Sequence, residues 1–229
     1  MFKRIKRKGL RIFLNVAVYT LIGVVLSFSA LSLFHTLYFR QIFIAGNSMS
    51  PTLRGGTEAG GADFGIIDAH SSKIAKIKRF KIVTVYFPFE DYEYENGEYY
   101  QTGDPLKENA DYKGKRVIGL PGETIVIENN ILYVTTTSGE NLVYGTEESP
   151  FPFDRLLPND ISKRNSNITL KDNEYWVMGD NWSGSYDCSS VQQPIYKENI
   201  IGVLVAIEGY CTIKNNSCVN KHYKALKFY

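Results

Sequence analysis

The stretch "IFLNVAVYTLIGVVLSFSALSLFHTLYF", residues 12–39, contains no Asp, Glu, Lys or Arg. As a helix it would measure about 42 Å at ~1.5 Å per residue, longer than a hydrocarbon core of ~30 Å. Tilt absorbs the excess, or Tyr38 and Phe39 sit in the interfacial belt before Arg40 closes the segment. A buried core helix suits such a length poorly. A cleavable secretory leader has a shorter apolar region, typically ~7 to 15 residues ending in small residues, whereas this one ends in "TLYFR". The segment is therefore expected to be a single transmembrane helix.

Lys3, Arg4, Lys6, Arg7, Lys8 and Arg11 precede this segment without one acid. Such a cluster holds the N-terminus on the cytoplasmic side and leaves the rest of the chain outside. Setting those six aside leaves 20 of the 26 basic residues against 24 Asp and Glu. The body is slightly acidic, so nucleic acid is not an expected partner. The 229 residues, 44% hydrophobic and 14% aromatic, suffice for one good-sized core.

Past Arg40 the continuous apolar run gives way to short segments rich in Val, Ile, Tyr and Phe, separated by Gly, Pro, Asn and Asp. That texture predicts a mainly β fold: an antiparallel β domain after the helix, with a smaller insertion lobe. Strands are expected at 41–45, 64–68, 80–87, 114–118, 124–128, 131–136, 174–178, 200–207 and 210–214. Asn129 and Asn130 join two of them, and Asn tolerates the left-handed backbone of a tight hairpin. The polar stretch 88–113 reads as a surface loop and 137–172 as the insertion. The resulting organisation is a basic tail (1–11), a transmembrane helix (12–39), a β core in two parts (40–136 and 173–229, ending in a hairpin) and the lobe between them.

Cys211 and Cys218 bracket "TIKNNS", which suits either a cross-strand disulfide across a hairpin or two free, small apolar residues. Cys188 would be unpaired. With no C-x-x-C pair and with His35, His70 and His222 scattered, neither a metal nor another cofactor is expected.

Three islands carry chemistry. "GNSMSPT" (46–52) offers two hydroxyls, Ser48 and Ser50, each of which could be a nucleophile or a turn former. "KGKRVIGLPGE" (113–123) sets Lys115 at the head of an apolar strand. There its stem could pack while its head reaches water, or burial could lower its pKa until the neutral amine acts as a base. "VMGDNWSGSYD" (177–187) gathers Asp180, Asn181, Ser183, Ser185 and Asp187 in a Gly-punctuated loop, an ordinary turn or a scaffold of hydrogen bonds.

Together, in this order, the islands resemble the bacterial type I signal peptidases, membrane-bound Ser/Lys proteases that remove signal peptides from exported preproteins. The family's S-M-x-P-T-L box is matched by Ser48, Met49, Pro51, Thr52 and Leu53, and its K-R-V-I-G-x-P-G box from Lys115 to Gly122. Gly179, Asp180, Asn181, Ser185 and Asp187 match the third box, and "RFKIV" (79–83) resembles the strand between the first two. The resemblance implies Ser48 as nucleophile and Lys115 as general base, an activated pair of the kind serine chemistry requires. It further implies that Ser185 orients the Lys115 amine, that Asp187 pairs with Arg116, and that Asp180 belongs to the supporting loop. The Ser48 backbone N–H would form the oxyanion hole; the second donor of many relatives, a serine hydroxyl, falls at Gly46, which has none.

The same resemblance implies that Ile42, Ile44, Ala45, Met49 and Leu53 line shallow pockets for small substrate side chains, with the substrate added as a strand. Ser48 follows Arg40 by eight residues, within about 29 Å of the membrane boundary at ~3.6 Å per residue. The expected partners are thus preproteins and the lipid bilayer, in a single-pass protein of the cell membrane. Departures from the family pattern occur in the third box, where Trp182, Ser183, Gly184, Cys188 and Ser189 replace its usual residues and an arginine is missing at 189. Another departure is the Gly-rich "RGGTEAGGADFG" (54–65). An alternative is a catalytically weak or dedicated-substrate relative that assembles surface structures such as pili.

Overall fold

The computed structural model describes residues 2–56, 61–70, 74, 76–87, 92–95, 98–101, 112–215 and 217–229. Its first helix, α1 (Phe2–Tyr38), is longer than the apolar run, because Lys and Arg are themselves good helix formers and extend it backward. Within α1, Leu10–Tyr38 is long and apolar enough to cross a membrane, and none of it is buried. Met1–Phe39 and Arg40–Tyr229 form two separate compact units.

The second unit is built of antiparallel strands. In chain order they are β1 (Phe39–Phe43), β2 (Ala62–Asp68), β3 (Ile82–Tyr86), β4 (Tyr92–Glu95), β5 (Glu98–Gln101), β6 (Tyr112–Gly119) and β7 (Thr124–Glu128). They continue as β8 (Ile131–Thr135), β9 (Asn141–Tyr144), β10 (Ser166–Thr169), β11 (Glu174–Met178), β12 (Ile195–Tyr196), β13 (Ile200–Lys214) and β14 (Ser217–Phe228), with a short helix α2 at Cys188–Val191. The main sheet runs β1-β2-β13-β3-β6-β11-β12, and β14 pairs with β13 beside it. β3 and β11 sit at its centre and are buried along their whole length, as is β6 from Lys115 to Gly119, so none of the three shows the in-out alternation of a half-exposed strand. β7 and β8 alternate buried and open residues, and Asn129 and Asn130 between them take positive φ of 51° and 66°, as a tight hairpin requires.

Three details differ from the sequence expectation. The segments 200–207 and 210–214 are one strand, β13, with irregular pairing near Ile207 and Gly209. The stretch 137–172 is not all loop: it gives β9 and β10 to a four-stranded sheet, β10-β7-β8-β9, that takes in β7 and β8. The apolar faces of β7 and β8, Ile125, Ile127, Leu132 and Val134, then share one core with β6, β11 and Trp176. The 88–113 stretch lies largely outside the described residues; within it β4 and β5 form a hairpin.

A second buried cluster, Ile44, Met49, Leu53, Ile67, Ile82, Leu204 and Ile207, packs beneath the chain that follows β1. Cys211 and Cys218 are joined as a disulfide across the β13–β14 hairpin, and Cys188 is free and buried.

Candidate active site

Ser48 sits in a single 3-10 turn, Asn47–Met49. Met49 and Leu53 are fully buried in the second core cluster, so apolar packing pins this turn from below while Ser48 stays half-buried above it. Lys115 lies on β6, opposite Val83 of β3. Successive strand residues point to opposite faces: Lys115 turns to one side of the sheet and Arg116 to the other.

Lys115 is 1% exposed, and its Nζ donates to Ser185 Oγ at 2.8 Å. Burial, which disfavours the ammonium form, lowers its pKa to about 8; Asp187 opposes this and Lys113 reinforces it. A group titrating there supplies a neutral amine at mildly alkaline pH. The Ser48 hydroxyl makes no hydrogen bond among the described residues, to Lys115 or to any other group. Ser48 and Lys115 nevertheless face one groove of about 620 Å³, which runs along β1 beneath Thr84, Tyr112 and Tyr186.

Gly179 brings the pieces together. A β-carbon at this position would stand 2.3 Å from the Ser48 carbonyl oxygen and 2.4 Å from Ser185 Oγ, so only hydrogen permits the approach. Asn181 secures the contact, its main-chain N–H donating to Ser48 O at 3.0 Å and its side-chain amide to Asn47 O at 3.2 Å.

Two buried arginine–carboxylate pairs hold the surroundings. Arg116 grips Asp180 with both Nε and Nη2, at 2.7 and 2.5 Å, and also donates to Phe80 O. Asp180 accepts Thr52 Oγ1 at 2.5 Å, so this carboxylate joins all three islands. Asp187 does not pair with Arg116 as the resemblance implies. The opposite faces of β6 explain why: Arg116 points away from the groove toward Asp180, whereas Asp187 binds Arg164 at 3.1 Å. Asp187 also caps α2 and accepts the Gly179 N–H at 3.0 Å.

Of the other anticipated residues, Ile42, Ile44, Ala45 and Met49 line the groove, with Gly46 at its edge. Leu53 does not: it is wholly enclosed in the core beneath the Ser48 turn. Arg164, Phe153 and Leu156 went unanticipated. Phe153 lies under the Arg116 guanidinium at 4.1 Å, and Leu156 is hydrogen-bonded through its main chain to Asp180 and Ser183. The one signal for Arg164 was a deficit, an Asp187 without the arginine that the family pattern supplies at 189.

The chain matches the family model described as "Signal peptidase, peptidase S26" over residues 14–207. It is 28% identical to Signal peptidase I P of Bacillus subtilis subsp. natto over 204 residues, covering 89% of this chain and 92% of that one. Against Signal peptidase I V of Bacillus subtilis strain 168 the identity is 30% over 172 residues, covering 70% and 80%. Among solved structures, a signal peptidase I from Enterococcus faecalis V583 aligns with 56% of this chain and 97% of its own, at 21% identity and a TM-score of 0.36.

Proposed function

Because the chain belongs to the signal peptidase S26 family of peptidases, we propose that it cleaves signal peptides from exported preproteins with Ser48 as nucleophile and Lys115 as general base. The observation that carries this reading is a lysine enclosed almost completely, hydrogen-bonded to a serine, with its pKa lowered to about 8, in the same groove as Ser48. A lysine kept only for structure gains nothing from such a setting.

In the reaction, the neutral Lys115 amine takes the Ser48 Oγ proton as the oxygen adds to the scissile carbonyl. The tetrahedral oxyanion accepts the Ser48 main-chain N–H. Collapse breaks the C–N bond, the Lys115 ammonium returns its proton to the leaving amine, and an acyl-Ser48 ester remains. Water, deprotonated by the same amine, hydrolyses that ester and restores Ser48. Ser185 holds Nζ in line throughout. Serine and lysine need not touch in the empty site, since catalytic hydrogen bonds are often long before substrate binds.

The substrate lies along β1 as an added strand, its small side chains over Ile42, Ile44 and Ala45. Signal peptides cross the bilayer by their own apolar core, which fits an enzyme anchored by Leu10–Tyr38 with its basic N-terminus in the cytoplasm and its β unit outside.

The test is cleavage of a preprotein bearing a small-x-small site by the purified full chain in detergent, with the cut located by mass. Wild type should cut once after the small residue, Ser48→Ala and Lys115→Ala should not, and Ser50→Ala should retain most activity. Loss of activity in Ser50→Ala but not in Ser48→Ala would overturn the assignment.

A further inference from the structure

Resting on that reading, we propose that Arg164 is a positioning residue for the Ser48/Lys115 site: it fixes the main chain at Ser185, so that the hydroxyl meets the Lys115 amine, and neutralises the buried Asp187 carboxylate beside them. Arg164 comes from a 3-10 turn, Ile161–Arg164, inside the stretch that sequence reading set apart from the site. It is buried, and its guanidinium is spent entirely on one loop. Nε donates to Trp182 O at 2.8 Å and Nη2 to Ser185 O at 2.6 Å. Nη1 donates to Asp187 Oδ1 at 3.1 Å, Ser189 Oγ at 2.9 Å and Ser190 Oγ at 2.7 Å.

A planar fork with five donors can make such a set, and an ammonium cannot. One side chain therefore grasps the loop before, at and after Ser185. Since the Ser185 side chain is the hydrogen-bond partner of Lys115 Nζ, any drift of its main chain moves the base.

Charge matters as much as shape. The groups acting on the Lys115 amine are Asp187 and Cys188 at the start of α2, Lys113 on its own strand, and Arg164. Burial keeps the Cys188 thiol from ionising. Asp187 favours the ammonium, whereas Lys113 and Arg164 disfavour it. Without Arg164 the carboxylate would act unopposed from that side, and more of the base would be protonated at a given pH.

The experiment compares wild type, Arg164→Gln and Arg164→Lys as full chains in detergent, reading kcat/KM on the same preprotein from pH 6 to 10 alongside thermal melting. In Arg164→Gln the acid limb should move up by about one pH unit, with activity at pH 7 down at least tenfold and partly regained by pH 9. Arg164→Lys, which keeps the charge but loses the fork, should leave the limb in place and lower kcat. A folded Arg164→Gln whose limb does not move, with activity lost only in proportion to melting, would overturn the proposal. If Arg164→Gln does not fold, Arg164→Lys decides: reduced kcat at an unmoved limb supports the role, and wild-type kcat refutes it. Failure of the dyad itself would show separately, as a wild-type limb that persists in Lys115→Ala.

Discussion

Lys115→Met should give an inactive enzyme that is more stable than wild type. Lys115 is almost completely enclosed, and its pKa falls from 10.5 to about 8. At 1.36 kcal/mol per tenfold change, holding the ammonium inside the fold below pH 8 costs about 3 kcal/mol relative to the unfolded chain. Methionine has a similar length and no charge to desolvate. It leaves the Ser185 hydroxyl without its partner, which returns about 1 kcal/mol of the gain. The net stabilisation of about 2 kcal/mol corresponds to roughly 4–8 °C in melting temperature for a unit of this size.

The pH dependence has a definite sign. Between about 8 and 10.5 the unfolded chain binds the proton and the folded one does not, so wild-type stability rises with pH through that window. The advantage of Lys115→Met should thus be flat below pH 8 and vanish by about 10.5. Thermal melts followed by tryptophan fluorescence at pH 6 to 10 test this. A variant melting at or below wild type at pH 7 would refute the reasoning, because it would mean that burial of the amine is not costly.

Other outcomes follow from the same geometry. The kcat/KM of wild type should rise tenfold per pH unit toward an inflection near 8, where Lys115 loses its proton; an acid limb near pH 6 would point to a different base. Gly179→Ala must push the Ser48 carbonyl and the Ser185 hydroxyl back by about 1 Å, from 2.3 and 2.4 Å to ordinary contact, which should cost about 10²-fold in kcat/KM. Activity within threefold of wild type would show that the approach does not matter. Gly46→Ser meets nothing within 4 Å of its new Cβ, and Gly46 has a φ of −103°. It should fold normally and raise kcat by up to about tenfold if the hydroxyl reaches the oxyanion, as single-turnover kinetics would record.

Much of the fold was legible because its signals are local. The long apolar helix α1, the hairpin at Asn129 and Asn130 and the segments that became β3, β6 and β11 are all written in composition and short-range pattern. β14 was harder, for Lys221, Lys224 and Lys227 interrupt it and nearly all its residues are exposed; its pairing with β13 sets the conformation, and no inward face marks the strand in advance. Within the site, Ser48, Lys115 and Ser185 stood out because short boxes surround them. The partner of Asp187 did not, since Arg164 sits in "SKRNS", where nothing local separates a buried cation from a solvated one. The side of the sheet that Arg116 takes was fixed by the alternation along β6, and only the strands beside it reveal which side holds Asp180.

The Asp180 carboxylate meets Thr52 and Arg116 across 128 and 64 residues of chain. Contacts so distant in sequence bear their loop-closure entropy before they return any stabilisation. A growing chain that has not reached β11 already contains both Ser48 and Lys115, yet it lacks the loop that keeps them facing one groove. The shared groove therefore arrives with the final quarter of the polypeptide, as a property of the completed β unit.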